Sequence, residues 1–117
     1  MLLRHVDLVK PEPLENAIDV TRKVLISREE GPHFSMRVFR IEPNGRMPLH
    51  TNDVEHEQYV LSGRARIIIG DHEEEVYQGC AFLIPAMVPH SYACVGEEPF
   101  EILCVVPNLD DQTIILH

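Results

Sequence analysis

Seven histidines in 117 residues are the side chains best suited to chemistry in this chain, and three of them, His50, His56 and His90, lie in or beside apolar segments. Histidine is the commonest metal-binding side chain. Neutral imidazoles suit Mn, Fe, Ni, Cu or Zn, and a site that keeps an open position supports chemistry. Several nitrogens on one divalent transition metal would also explain why polar groups are tolerated among apolar segments. His5, His33, His72 and His117 fall near termini or turns and are expected to be solvated. The run Asp71-His72-Glu73-Glu74-Glu75 has ligand-like density, but a charged hairpin edge that discourages strand addition explains it better. Cys80, Cys94 and Cys104 form an odd, widely spaced set. They suggest no disulfide framework, so a reducing cytoplasm is the default expectation. No Ser/His/Asp order, Walker loop or dinucleotide fingerprint is present.

The elements that must position these histidines read almost entirely as strands. Nine prolines and six glycines chop the chain into short pieces, and no long helical period survives. Residues 14–17 have the pattern of one short helical turn. Strands are expected over residues 20–26, 33–42, 47–50, 57–61, 64–69, 74–77, 81–84, 88–95 and 100–106, with a turn at Pro43-Asn44-Gly45 and a hairpin at Gly70-Asp71. Short, evenly spaced strands with Gly/Pro punctuation mean an all-β sandwich or barrel. Side chains alternate across a strand, so His56, Gln58 and Val60 share one face, His90 shares one with Tyr92, and Ile102 shares one with Cys104. Arg37 and Phe39 have common parity. An arginine among apolar neighbours needs an anion, either a substrate carboxylate or a protein partner such as Glu42 or Glu101. Gln58 is a candidate to hydrogen-bond a ligating histidine. Tyr92 or Glu57 are the candidates for proton transfer. Alternation, taken together with the resemblance given below, makes Arg37, Phe39, Gln58, Ile102 and Cys104 the expected pocket residues, and the catalytic candidates are Arg37 and Tyr92.

Length argues for one domain spanning residues 1–117. The formal charge of −9 argues against non-specific nucleic-acid binding, and no apolar run is long enough for a helical membrane span. The N-terminal residues are too broken by polar groups to read as a signal peptide. Residues 1–26 are strand-like pieces rich in apolar side chains, and edge strands invite pairing. They are expected to form an arm that packs in a homodimer.

The segment from Asn44 through His50, Asn52 and His56 to Gly63 resembles the first cupin motif, G-x5-H-x-H-x3,4-E-x6-G. Gly79, Pro85 and His90 fit the second, G-x5-P-x-G-x2-H-x3-N. With two motifs in register the chain resembles the small single-domain cupins over residues 33–107, and the likeness is nearest to the four-histidine manganese-binding group. That resemblance implies a double-stranded β-helix, or jelly-roll, barrel. It implies metal ligation by His50, His56 and His90, a pocket position for Cys104, and a twofold homodimer. Asn52 stands where the second motif histidine belongs. Its amide oxygen could coordinate weakly, hold a water, or point away. His56 stands at the Glu position, Met87 at a Gly and Cys94 at the final Asn. The implied function is a metal-dependent enzyme with dioxygenase-like oxidation of a small organic molecule. An isomerase or lyase using the metal as a Lewis acid, or a non-catalytic small-molecule-binding or sensor cupin, are the alternatives.

Overall fold

A computed structural model describes residues 1–117 as a curled, all-β sheet. A single 3₁₀ turn at Val6–Leu8 precedes ten strands. They are β1 (Glu12–Pro13), β2 (Ile18–Ile26), β3 (Phe34–Thr51), β4 (His56–Ser62), β5 (Arg64–Ile69), β6 (His72–Tyr77), β7 (Ala81–Ile84), β8 (His90–Val95), β9 (Phe100–Pro107) and β10 (Ile114–Ile115). The main path of the sheet runs β6-β5-β8-β3-β9-β4-β7, with β2 and β10 also paired to β3. This is the jelly-roll architecture. No helix is long and apolar enough to cross a membrane.

The long β3 is what curls the sheet. Its first half, Phe34 to Ile41, pairs with β9, and its second half, Arg46 to His50, pairs with β8. One strand thus serves both layers. Pro43-Asn44-Gly45 does not end the strand, contrary to the turn expected there. Asn44 takes a positive φ of 68°, and the pairing with β2 slips between Ile18 and Val20, where Asp19 also has positive φ. The turn residues therefore make a bulge, which bends a strand without breaking it. The helical turn expected at 14–17 is also absent. Asn16 at φ 60° makes a plain turn that feeds β2.

Alternation governs the packing. Along β9 the buried residues are Phe100, Ile102, Cys104 and Val106, and along β4 they are His56, Gln58 and Val60. Phe100, Ile41, Ile102, Val60 and Ile84 are almost wholly buried in one core. Each such side chain contributes about 1.5–3 kcal/mol. The edge strand β6 carries exposed Glu73, Glu74 and Glu75, with Arg66 and Arg64 pairing to Glu73 and Glu75 across the hairpin.

Of residues 1–26, β2 takes its pairing from β3 of the same chain, so only the part before it has the character of an arm. That part is tied back by Arg4, which donates to the Leu25 carbonyl and grips Glu30 through both carboxylate oxygens, and by Lys23, which donates to the Val6 carbonyl. Leu3 and Leu8 remain exposed.

Gly63 closes β4 at φ 77°, and a Cβ there would collide with the Pro99 carbonyl oxygen. Gly63→Ala is expected to destabilise the protein by about 2 kcal/mol or more, from left-handed strain plus the collision. A lowered urea midpoint checks this.

Candidate metal centre and its cavity

His50 is the penultimate residue of β3, His56 begins β4 and His90 begins β8. Register brings them together: His50 pairs with His90, and His56 faces inward from the neighbouring part of the sheet. The rings of His50 and His90 lie 4.1 Å apart between centroids, and those of His56 and His90 6.0 Å apart. All three line one cavity of about 130 Å³, with Asn52, Arg37, Phe39, Gln58, Tyr92 and Ile102. Of the residues the sequence singled out, Cys104 and Glu57 fall outside the lining. Cys104 is fully buried one layer behind it, and Glu57 is on the outward parity of β4 and exposed. Glu57 is therefore no candidate for proton transfer in this cavity.

The polar atoms of the cavity are prepared in a particular way. Nδ1–H of His50 donates to the Pro48 carbonyl at 2.7 Å, and Nδ1–H of His90 donates to the Val88 carbonyl at 2.9 Å. Each carbonyl fixes the ring tautomer and leaves Nε2 as a bare lone pair, which is how metal-ligating histidines are commonly held. Nε2 of His56, Nε2 of His90 and Oδ1 of Asn52 are all buried with no hydrogen-bond partner. Three partnerless polar atoms around one cavity would cost a folded protein several kcal/mol unless something satisfies them. Asn52 is held by its other amide atom, Nδ2, which donates to Thr113 Oγ1 at 2.7 Å.

The residues present, three imidazoles and one amide oxygen, fit a divalent transition metal. No three His, Cys, Asp or Glu side chains are already gathered on one point at ligand distance. The rings of His50 and His90 are tilted by 54° to each other. Electrostatics supports the assignment. Burial, followed by the neighbouring Arg37 charge, pushes the His56 pKa down to about 3. Burial likewise lowers His90 to about 4, against the opposing hydrogen bond to Val88. Both rings are therefore neutral at ordinary pH, as ligation requires.

A polar chain runs through the cavity wall. The Tyr92 hydroxyl donates to Gln58 Oε1 at 2.7 Å, and Gln58 Nε2 donates to Cys104 Sγ at 3.4 Å. Arg37 Nη2 also reaches this sulfur at 3.5 Å, and His56 Nδ1 lies 3.5 Å from it. Burial drives the Tyr92 phenol far above its ordinary range, so the hydroxyl is a fixed donor rather than a base. Gln58 thus steadies Tyr92 and reaches His56 only through the sulfur.

Several lining residues escaped the sequence reading. Leu14 and Arg22 arrive from the N-terminal segment, and Asp111 and Thr113 from the C-terminal one. The C-terminal residues return as β10 against Thr51 and His50, and the Asp53 amide donates to Asp111 Oδ1 at 2.7 Å. Arg22 was legible only as a polar position within a strand, and nothing local marked the tail as part of the site. Met87, at the motif's Gly position, sits at φ 68°, and its amide donates to the Asn52 carbonyl. A strained residue thereby helps hold the strand end carrying Asn52.

The sequence profile of the cupin domain matches residues 37–106. Among solved structures, the polyketide cyclase RemF from Streptomyces resistomycificus is 31% identical with a TM-score of 0.88, covering 100% of this chain and 87% of that one. A cupin-2 domain protein from Rhodospirillum rubrum is 24% identical at a TM-score of 0.82, covering 100% of this chain and 80% of that one. An oxalate decarboxylase from Lactobacillus farciminis, in complex with formate, shares the fold at 23% identity and a TM-score of 0.78, over 96% of this chain and 35% of that one. No curated protein sequence matches the chain. Both motifs fall within the matched residues, and on that ground, together with the jelly-roll sheet that carries them, the chain belongs to the cupin family.

Proposed function

We propose that this cupin is a metal-dependent enzyme acting on a small, carbonyl-bearing organic molecule, with non-redox chemistry of the isomerase or lyase kind, cyclisation included. The observation that carries the reading is the set of buried, partnerless polar atoms on His56, His90 and Asn52 around one cavity. A divalent cation held by these donors and His50 would polarise a substrate carbonyl as a Lewis acid. The same donor set would serve oxidative chemistry. The full-length likeness to a polyketide cyclase favours the non-redox alternative.

The chain's own residues then take distinct parts. Phe39, Met47 and Ile102 supply an apolar wall that excludes water. Asp111 is the one carboxylate lining the cavity; with Oδ1 occupied by the Asp53 amide, Oδ2 is the atom available to accept a proton from the carbon beside the carbonyl. Arg37 lines the same cavity without an ion-pair partner and supplies positive charge for an anionic group of the substrate.

Elemental analysis of natively purified protein tests the reading, together with deuterium exchange into acetone and pyruvate followed by NMR. Near-stoichiometric first-row metal is expected, with exchange that is lost on chelation and reduced in Asp111→Asn. A protein that neither carries nor takes up such a metal overturns it. Asn52→His is expected to tighten metal binding in a chelator competition, because imidazole is a better donor than an amide oxygen to these ions.

A further inference from the structure

We infer that Arg22 and Arg37 form an anion-binding position in the cavity wall, and that the substrate is accordingly an organic acid whose carboxylate they hold. The inference takes the cavity to be a substrate site, as above, and names the class of substrate.

Register places the two arginines as diagonal neighbours on adjoining strands. Arg22 of β2 lies opposite Phe39 of β3, and Arg37 lies opposite Val24. Both line the same cavity. Both have an Nε that is buried and without a hydrogen-bond partner. Their surroundings do not neutralise them fully. Arg37 is in no ion pair; its only hydrogen bond is to the Cys104 sulfur, and its guanidinium carbon lies 5.2 Å over the Phe39 ring. Glu42 and Glu101, its candidate protein partners, are both taken by Arg40, at 2.9 and 3.8 Å. Arg22 has one contact with Glu12, at 3.3 Å on a half-exposed surface. A buried guanidinium N–H left unused requires an acceptor, and a carboxylate matches the planar fork.

The surroundings also fit an acid longer than formate. A groove of about 240 Å³ continues from the cavity, sharing Leu14, Arg22, Met47, His50 and Thr113 with it. Arg22 stands at the junction. An acid held there extends its carbonyl inward, toward His56 and His90, or its chain outward along the groove. Asp111 and Glu15 are the carboxylates lining the two spaces, and neither pairs with Arg22 or Arg37.

The test uses metal-stripped protein, so that it reads the arginines apart from any metal. Pyruvate and its uncharged methyl ester are titrated while the Nε–H resonances of Arg22 and Arg37 are followed by ¹H–¹⁵N NMR, assigned with Arg22→Lys and Arg37→Lys. Both signals are expected to shift saturably with pyruvate and not with the ester. Arg37→Gln and Arg22→Gln should each weaken binding by about 10- to 100-fold, the range for hydrogen bonds to charged groups. Shifts that are absent at tens of millimolar, unsaturable, or equal with the ester overturn the inference, and the wild-type signals decide it even if a Gln variant fails to fold. A protein that binds metal and exchanges acetone but ignores pyruvate refutes the acid site and leaves the proposed function standing. One that binds pyruvate and no metal does the reverse.

Discussion

His90→Ala is expected to abolish tight transition-metal binding, the largest single effect any substitution in this protein should have on the site. His90 is the central member of the cluster, with His50 on one side and His56 on the other. The residue is 1% exposed, its Nδ1–H is committed to the Val88 carbonyl, and its Nε2 has no partner. Removing it leaves two imidazoles and an amide. Losing a mere outer partner of a ligand costs 10–100-fold in affinity, so losing the ligand itself should cost at least about 100-fold. Competition against a chromogenic chelator at fixed pH measures this. His72→Ala, on the exposed edge strand, serves as the control and should change nothing. Equal affinity in His90→Ala and the parent protein would remove His90 from the site. The alanine also relieves a buried, partnerless nitrogen, so the metal-free variant should lose less stability than its cavity volume alone implies.

The metal-free protein should lose stability steeply as pH falls below about 6.5. Two buried rings set the sign. In the unfolded chain His56 and His90 take up protons around the ordinary histidine pKa of about 6.5. In the folded chain they stay neutral until about 3 and about 4. Between those limits the unfolded state binds more protons, so stability declines with falling pH. The slope approaches about 1.4 kcal/mol per pH unit for each ring. Above the unfolded pKa the penalty is absent, and below the folded values it stops growing. Glu30, held near 2 chiefly by Arg4, acts in the same direction but only once pH falls below the ordinary carboxylate range. Urea unfolding at about pH 7, 6 and 5 therefore isolates the histidines. A His56→Gln/His90→Gln double variant should flatten the dependence. A flat profile in the parent protein would mean that the rings are hydrated in solution.

Strand existence and facing were legible in the sequence because both depend on local, period-two patterning. Segments 64–69 and 81–84 match β5 and β7, and His56, Gln58 and Val60 turn inward together as alternation requires. The histidines stood out for a related reason: polar rings in apolar strands must be satisfied by something. Pro43-Asn44-Gly45 has the sequence of a strand end yet forms a bulge, because turn and bulge use the same residue types. Only the pairing of β3 with β9 before that point and β8 after it distinguishes them.

What the sequence determined by itself was the all-β class, the inward faces, the two motifs and the three histidines that belong together. Tertiary structure alone decided what else meets them. Arg22 reaches the cavity because β2 lies beside β3, and Asp111 and Thr113 because the tail folds back onto β3 as β10. Tertiary pairing also left Arg37 without a carboxylate, since Arg40 takes Glu42 and Glu101, and it placed Cys104 behind the wall rather than in it. The physical reason is that side-chain direction follows from a residue's own strand. Its neighbours are chosen by non-local register, and a one-residue bulge is enough to change them.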